Sequence, residues 1–256
     1  MNRRGPLAGQ VAIVTGSSKG IGAAAALALT QAGAAVTVTG RTPGGGPGSV
    51  GATAARVRES GGQALAVVAD ITNEADVSRV FESTVQAFGG VDVLVNNAGV
   101  FHLGKPLAEL SLREWDEMID VNLRGVFLCC RAAVPLLAGR GGGSIINLTS
   151  RAAEWGFPSS GRAGYAASKA GVERLTQVLA GEVADLNIAV NALSPVGLRT
   201  PGSTRAMGAK RAAAFADPSL IGPVIVHLAQ QRAGFTARVV RRTDFVDGAF
   251  PIESLR

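Results

Sequence analysis

The sequence holds a single tyrosine and four lysines, and one lysine stands four residues after that tyrosine, in Tyr165-Ala166-Ala167-Ser168-Lys169. The segment reads as a helix through about Ala184, and positions four apart on a helix lie one turn apart on the same face. The Tyr165 hydroxyl and the Lys169 ammonium can therefore approach one site. A fixed cation favours phenolate over phenol. The pair predicts a proton donor usable near neutral pH, where free tyrosine, with a pKa of about 10, hardly reacts. A surface tyrosine and a surface lysine spaced this way by chance are the bland alternative, and the scarcity of both residue types argues against it.

A second candidate site lies near the start of the chain. Val11-Ala12-Ile13-Val14 is a short apolar run suited to a buried parallel strand. It leads into Thr15-Gly16-Ser17-Ser18-Lys19-Gly20-Ile21-Gly22 and then an alanine-rich helical segment ending at Gly33. Glycines let backbone approach a pyrophosphate, and a helix N-terminus offers it unpaired N–H groups and a positive dipole end. The spacing is G-x-x-x-G-x-G, so the motif takes its meaning from the strand before it and the helix after it. The second strand, Ala35 to Thr39, ends in Gly40-Arg41-Thr42. An acidic residue there would hydrogen-bond an adenosine 2′-hydroxyl and repel a 2′-phosphate. Glycine followed by Arg41, with Lys19 in the adjacent turn, offers two cations and no carboxylate, which suits a phosphate and predicts NADP(H).

Further strands are expected at Ala64–Ala69, ended by Asp70-Ile71, at Val91–Val95, followed by Asn96-Asn97-Ala98-Gly99, at Ser144–Leu148 and at Ile188–Leu193. Between them lie a helix capped by Thr72 or Asn73 and running to Phe88, a capping box at Ser111-Leu112-Arg113-Glu114, and a helical pattern from Asn122 through Leu137. Thr200–Pro218 reads as a lid-like segment and Ser219–Gln231 as a helix with Pro223 early in it. Pro43–Gly51 is a long glycine- and proline-rich loop. Strands alternating with helices imply an α/β, doubly wound parallel sheet, with no internal repeat and no domain boundary within 1–256.

Composition narrows the classes. At 256 residues, 47 % apolar and 17 % charged, the chain suits one α/β domain with a full core rather than a disordered segment. No run of 18 apolar residues occurs, so no membrane span is expected. The start, Met1 to Pro6, is basic but leads into no hydrophobic signal region. Cys129 and Cys130 are adjacent and cannot staple loops, which makes a cytoplasmic protein the default expectation. The net charge of +6 is concentrated at the end, where residues 201–256 carry 8 basic and 4 acidic residues, among them Arg205, Lys210, Arg211, Arg238, Arg241 and Arg242. Only Phe235 and Phe245 lie nearby, too few aromatics for a nucleic-acid platform, so an anionic small molecule or acyl-carrier partner is the better expectation. No metal site is expected.

With Thr15-Gly16-x-x-x-Gly20-x-Gly22, Asn96-Asn97-Ala98-Gly99, Asn122, Ser150 and Tyr165-x-x-x-Lys169 all in order, the chain resembles the short-chain dehydrogenase/reductase family, in its single-domain branch close to 3-oxoacyl carrier-protein reductases. The resemblance runs from about Leu7 to at least Leu228. It implies a Rossmann-type sheet of about seven strands with a nicotinamide cofactor across its carboxyl edge. It implies Tyr165 as general acid for carbonyl reduction or base for alcohol oxidation, with Lys169 holding the nicotinamide ribose and lowering the Tyr165 pKa. Ser150 would hydrogen-bond the substrate oxygen, and Asn122 would hold a water connecting Lys169 to solvent. Gly16, Ser18, Ile21, Asp70, Asn97 and Gly99 match cofactor-contacting positions. Lys19, Gly20, Gly22, Arg41, Ile71, Ala98 and Thr200 join them, with Tyr165, Lys169 and the backbone near Pro195, Val196 and Leu198. Relatives are commonly dimers or tetramers, which implies a homodimer or homotetramer.

Three departures from the family pattern stand out. The gap from Ser150 to Tyr165 is long, as though Ser159-Ser160-Gly161-Arg162 carried an insertion; the strand-end context still selects Ser150, with Thr149 as the lesser substitute. Val196 follows Pro195 where many relatives have glycine. The ending Asp244-Phe245-Val246-Asp247-Gly248-Ala249 matches the family's close loosely, so the last strand's register stays open. The expected function is NADPH-dependent reduction of a ketone, on a 3-oxoacyl thioester or a secondary-metabolite ketone. Phe101, His102, Trp155 and Phe157 follow strands four and five, where substrate would lie, though ordinary loop packing explains each as well. The alternatives are an NAD-dependent alcohol, sugar or steroid dehydrogenase and a catalytically idle nucleotide-binding protein.

Overall fold

A computed structural model of the chain describes residues 5–157 and 160–251. Met1–Arg4 and Ser159, at the basic start and in the long gap before Tyr165, lie outside the described residues. The seven strands are β1 (Val11–Val14), β2 (Ala35–Gly40), β3 (Gln63–Val68), β4 (Val93–Asn96), β5 (Gly143–Leu148), β6 (Ile188–Ser194) and β7 (Val239–Arg241). All pair in parallel, in the order β3-β2-β1-β4-β5-β6-β7. The order reverses between β1 and β4, and the crevice outside that switch point is where open α/β sheets bind ligands.

The helices are α1 (Gly20–Gln31), α2 (Val50–Glu59), α3 (Glu74–Phe88), α4 (Leu112–Ile119), α5 (Gly125–Gly139), α6 (Ala163–Glu182), α7 (Pro201–Met207), α8 (Ala209–Ala212) and α9 (Gly222–Ala229). Side chains alternate across each strand. Ala12, Val14, Val36, Val38, Val93 and Val95 face one apolar cluster, closed by Ala25 and Leu29 of α1 and Val224, Ile225 and Leu228 of α9. Ile13, Leu94, Ile145 and Val190 face the other, closed by Val77, Val80 and Phe81 of α3, Leu128 and Ala133 of α5, and Val172 of α6. Strands buried on both faces have no polar side to show, which is why they read as unbroken apolar runs.

Asn73 caps α3, accepting from the Ala75 and Asp76 amides, and Ser111 with Glu114 forms the expected box at α4. The expected helix at Ser219–Gln231 is shorter. A 3₁₀ turn over Pro218–Ile221 precedes α9, and Pro223 sits in the first turn of α9, where a missing N–H has no cost. β4 begins at Val93, because Asp92 turns its carboxylate inward to accept from the Val11 amide at 2.8 Å and from Arg140. The register of β7 is set by Ala192↔Val239, Leu193↔Val240 and Ser194↔Arg241, so this strand ends before the Asp244–Ala249 stretch. Between α4 and α5 the helix widens into one π turn, Asp120–Arg124. The continuous helical run Leu112–Gly139 is, by length and composition, apolar enough to cross a membrane, although charged residues interrupt its apolar run. Its apolar residues Val126, Leu128, Cys129, Cys130, Ala133 and Leu137 pack in the core against the sheet.

Candidate active site

The glycine turn leaves β1 and enters α1 through two left-handed residues, Gly16 at φ +62° and Gly20 at φ +59°. A Cβ at Gly16 would come within 2.6 Å of the Ala98 Cα, and one at Gly22 within 2.4 Å of the Asn97 Nδ2. The turn is thus pressed against the loop after β4. Asn97 locks the two together: its Nδ2 donates to the Thr15 and Gly16 carbonyls at 2.8 and 3.0 Å. The Thr15 hydroxyl accepts in return from the Asn97 and Ala98 amides, at 3.0 and 3.1 Å. Gly22 therefore serves the packing of the turn and does not line the cavity beside it.

That cavity, of about 300 Å³, opens at the N-terminus of α1 over the switch point. Gly16, Ser18, Lys19, Gly20, Ile21, Arg41, Asp70, Ile71, Asn97, Ala98, Gly99 and Thr200 all line it. Thr200 caps α7 and lies over Gly20, where a Cβ would stand 3.2 Å from it. Bare backbone at the turn and a free helix N-terminus aimed into a cleft fit a dinucleotide pyrophosphate. One expectation needs correcting at the adenosine end. Arg41 Nη1 stands 3.8 Å from Asp70 Oδ2, so a carboxylate does share this corner. Sequence reasoning named Asp70 as a cofactor contact but missed its approach to Arg41, because Asp70 comes from the loop after β3, not from the Gly40–Arg41 corner.

A second cavity, of about 400 Å³, adjoins the first at Ile21, Phe101 and Thr200, and Ser150, Tyr165, Pro195, Val196 and Leu198 line it. Ser150 follows β5 by two residues and caps a 3₁₀ turn. Its side chain lines the same cavity as Tyr165 and lies close enough to pull the Tyr165 pKa down. Thr149, the possible substitute, is turned inward, donating to Glu173 at 2.7 Å. Lys169 is buried beneath Tyr165, 4 % exposed, with Nζ donating to the Leu148 carbonyl at 2.7 Å and 6.0 Å from the Tyr165 ring centre. Burial pushes the Lys169 ammonium down to about 8. Here too the structure corrects an expectation. Burial raises the Tyr165 hydroxyl above its ordinary value, and the opposing pulls come from the Ser150 hydrogen bond and the Arg162 charge, not from Lys169. Spacing of four places the two side chains on one face, but the ammonium turns to a strand carbonyl.

Asn122 lies in the π turn, fully buried. Its Nδ2 donates to the Val100 carbonyl and to Ser168 Oγ, and its Oδ1 accepts from the Val100 amide. Both amide hydrogens are engaged, so the side chain ties the loop after β4 to α6, and a water could use only the remaining acceptor capacity. Phe101 packs edge-on against Tyr165 at 5.6 Å, and Phe157 lines the second cavity. His102 instead pairs with Glu117 at 2.9 Å, and Trp155 is fully exposed on a different surface. Two basic residues of the tail are structural. Arg241 grips Glu154 through two 2.7 Å bonds, and Arg242 donates to the Pro195 and Val196 carbonyls. Sequence reasoning missed Leu103, Arg151, Arg162, Met207, Arg211 and Phe215 in the cavity wall. No local pattern places them around one cavity, since they converge only through the loop after β4, the loop before α6 and the α7–α8 segment.

The model of the family described as short chain dehydrogenase matches residues 10–210. A 3-oxoacyl-[acyl-carrier-protein] reductase of Synechocystis is 41 % identical over 189 residues, 74 % of each chain. 3beta-hydroxysteroid dehydrogenase 1 of Eggerthella lenta is 37 % identical over 96 % of this chain and 95 % of its own. The crystal structure of a proposed NAD(P)-dependent gluconate 5-dehydrogenase from Beutenbergia cavernae, with NADP bound at low occupancy, superposes with a TM-score of 0.81 at 34 % identity, covering 92 % of this chain and 96 % of its own. This chain belongs to the short-chain dehydrogenase family, whose members are NAD(P)-using oxidoreductases acting on hydroxyl and keto groups of small molecules.

Proposed function

We propose that this protein reduces a ketone to a secondary alcohol with NADPH, with Tyr165 as the proton donor. The observation that carries the reading is the Ser150–Tyr165 hydroxyl pair at the head of a cavity continuous with the glycine-turn cleft. The turn from Gly16 to Gly22, Asn97 to Gly99, Asp70, Ile71 and Thr200 would hold the dinucleotide, whose nicotinamide supplies the hydride. Two hydroxyls on one carbonyl oxygen stabilise the negative charge that develops there. Tyr165, kept protonated by burial, gives its proton to that oxygen, and Ser150 donates a hydrogen bond to it. Lys169, fixed on the Leu148 carbonyl, places a positive charge behind the ring and would hold the ribose. Lys19 and Arg41 at the adenosine end support the NADPH preference through charge-assisted bonds to a 2′-phosphate.

A second reading, oxidation of a secondary alcohol with NAD, is favoured by Asp70 facing Arg41, because a carboxylate there partly offsets the cation. Oxidation of NADPH and NADH by purified protein against a 3-oxoacyl thioester, a diketone, a quinone and a ketosteroid, with reduction of NADP and NAD by the matching secondary alcohols, separates the two. Turnover favouring NADPH and abolished in Tyr165→Phe is expected. A Tyr165→Phe enzyme that keeps its activity removes the proton-donor role, and turnover restricted to NAD with an alcohol establishes the second reading.

A further inference from the structure

The cavity in front of Tyr165 is lined by three arginines, Arg151, Arg162 and Arg211, and by no acidic residue among the described ones. Arg151 and Arg162 flank Phe157, their guanidinium carbons 4.6 and 5.6 Å from its ring centre. Stacking on an aromatic face holds a guanidinium flat and leaves its donor edge available for an anion. Arg211 comes from α8, at the exposed margin of the cavity. Arg151 has a carboxylate neighbour, Glu154 at 3.6 Å, but that carboxylate is already gripped by Arg241. Arg162 and Arg211 make no ion pair among the described residues. Ser194 borders the same cavity, 2 % exposed, and its buried hydroxyl has no hydrogen-bond partner among the described residues. Uncompensated cations and an unpartnered buried hydroxyl around one small cavity are a poor surrounding for a neutral, apolar ketone.

We infer that the substrate of this cavity is an anionic ketone, whose carboxylate or phosphate is received by Arg162 and Arg211. This rests on the ketone-reductase reading, and the experiment keeps the two apart. Levulinate, its methyl ester and acetoacetyl-coenzyme A are compared as substrates of the wild type, Arg162→Gln, Arg162→Lys and Arg211→Gln, with NADPH. The quantity read is the ratio of kcat/KM for acid over ester, because any change in Tyr165 reactivity caused by losing the Arg162 charge cancels in it. Wild type is expected to favour the acid by at least about tenfold, with the ratio collapsing towards one in Arg162→Gln and partly restored in Arg162→Lys. A greater loss on levulinate identifies the carboxylate as the anion, and a greater loss on acetoacetyl-coenzyme A identifies the phosphate.

Equal kcat/KM for acid and ester in the wild type, or a ratio that neither substitution moves, together with acetoacetyl-coenzyme A turnover that neither substitution lowers, overturns the anion assignment. The reductase reading then still stands if Tyr165→Phe abolishes ester turnover. If no ketone is turned over, calorimetric titration of levulinate into the NADPH-loaded protein decides. Binding weakened about tenfold in Arg162→Gln supports the assignment alone, and binding that is absent or unaltered overturns it.

Discussion

At the scale of single residues, the turn after β6 holds the most informative side chain. Val196 adopts φ +41°, a left-handed conformation costly for a β-branched residue. The turn is held from outside: Arg242 donates to the Pro195 and Val196 carbonyls, and the Gly197 carbonyl accepts from Ala216. Strain of this kind costs about 1–3 kcal/mol, while glycine loses roughly 0.5–1 kcal/mol of chain entropy on ordering. Relief outweighs entropy, so Val196→Gly should stabilise the protein by about 1 kcal/mol, seen as a higher urea midpoint at an unchanged m-value. A lower midpoint would mean that the valine side chain packs better than its backbone suffers. At Arg41 the balance concerns cofactor choice. The guanidinium is mostly exposed and 3.8 Å from Asp70, a weak pairing that a phosphate can displace. Arg41→Ala should weaken NADPH more than NADH by roughly 1.5–3 kcal/mol in a fluorescence titration. Equal weakening of both would remove Arg41 from cofactor selection.

Among the elements, the contact between the glycine turn and the loop after β4 controls whether the dinucleotide cleft exists. Two strand-end loops from across the switch point are joined by four hydrogen bonds through Thr15 and Asn97. The first turn of α1 leaves no room beside them. A Cβ at Gly22 would lie 2.6 Å from the Gly16 carbonyl oxygen as well as 2.4 Å from Asn97. Overpacking of this size costs about 1–3 kcal/mol. The least resistant path is outward movement of the turn, so Gly22→Ala should keep the fold and weaken NADPH binding by about tenfold or more, since 1.4 kcal/mol is a factor of ten. Retained affinity would show that the loop after β4 gives way instead. The π turn at Asn122 works similarly, placing one buried amide where it bridges the Val100 backbone and Ser168 of α6.

Over the whole molecule, the site draws on stability that the fold supplies elsewhere. Lys169 is a buried ammonium whose pKa is brought down from 10.5 to about 8. A group with a depressed folded pKa contributes stability above its unfolded pKa and loses it as pH falls through the folded one. Near neutral pH the folded protein therefore bears a desolvation penalty of about 3 kcal/mol for this side chain, at 1.36 kcal/mol per unit. Lys169→Met should abolish turnover. Its stability relative to wild type should be greatest below pH 8 and fall away as pH rises towards 10.5. Denaturation midpoints of both proteins across that interval measure it, and a constant difference would show that the ammonium is better solvated than its burial implies. The penalty is tolerated because the sheet is pinned at several points. Asp92 joins β1 to Arg140, and Asn96, Asn147 and Thr176 form a buried hydrogen-bonded chain across β4, β5 and α6.

Local chemistry made much of this protein legible in its sequence. Unbroken apolar runs between helical segments imply a parallel sheet covered on both faces, and glycines between a strand and a helix imply a cleft. The Tyr165–Lys169 spacing put both side chains on one helix face, as the α6 geometry shows. What local pattern does not carry is the direction a side chain takes once its neighbours are in place. The sequence places Lys169 near Tyr165, but the packing of α6 on β5 turns its ammonium to the Leu148 carbonyl. The Asp70 carboxylate beside Arg41, the clamp of Arg242 on Val196 and the three arginines of the cavity before Tyr165 arise between segments 11 to 60 positions apart. Their positions depend on strand order and loop packing, which only the tertiary structure decides.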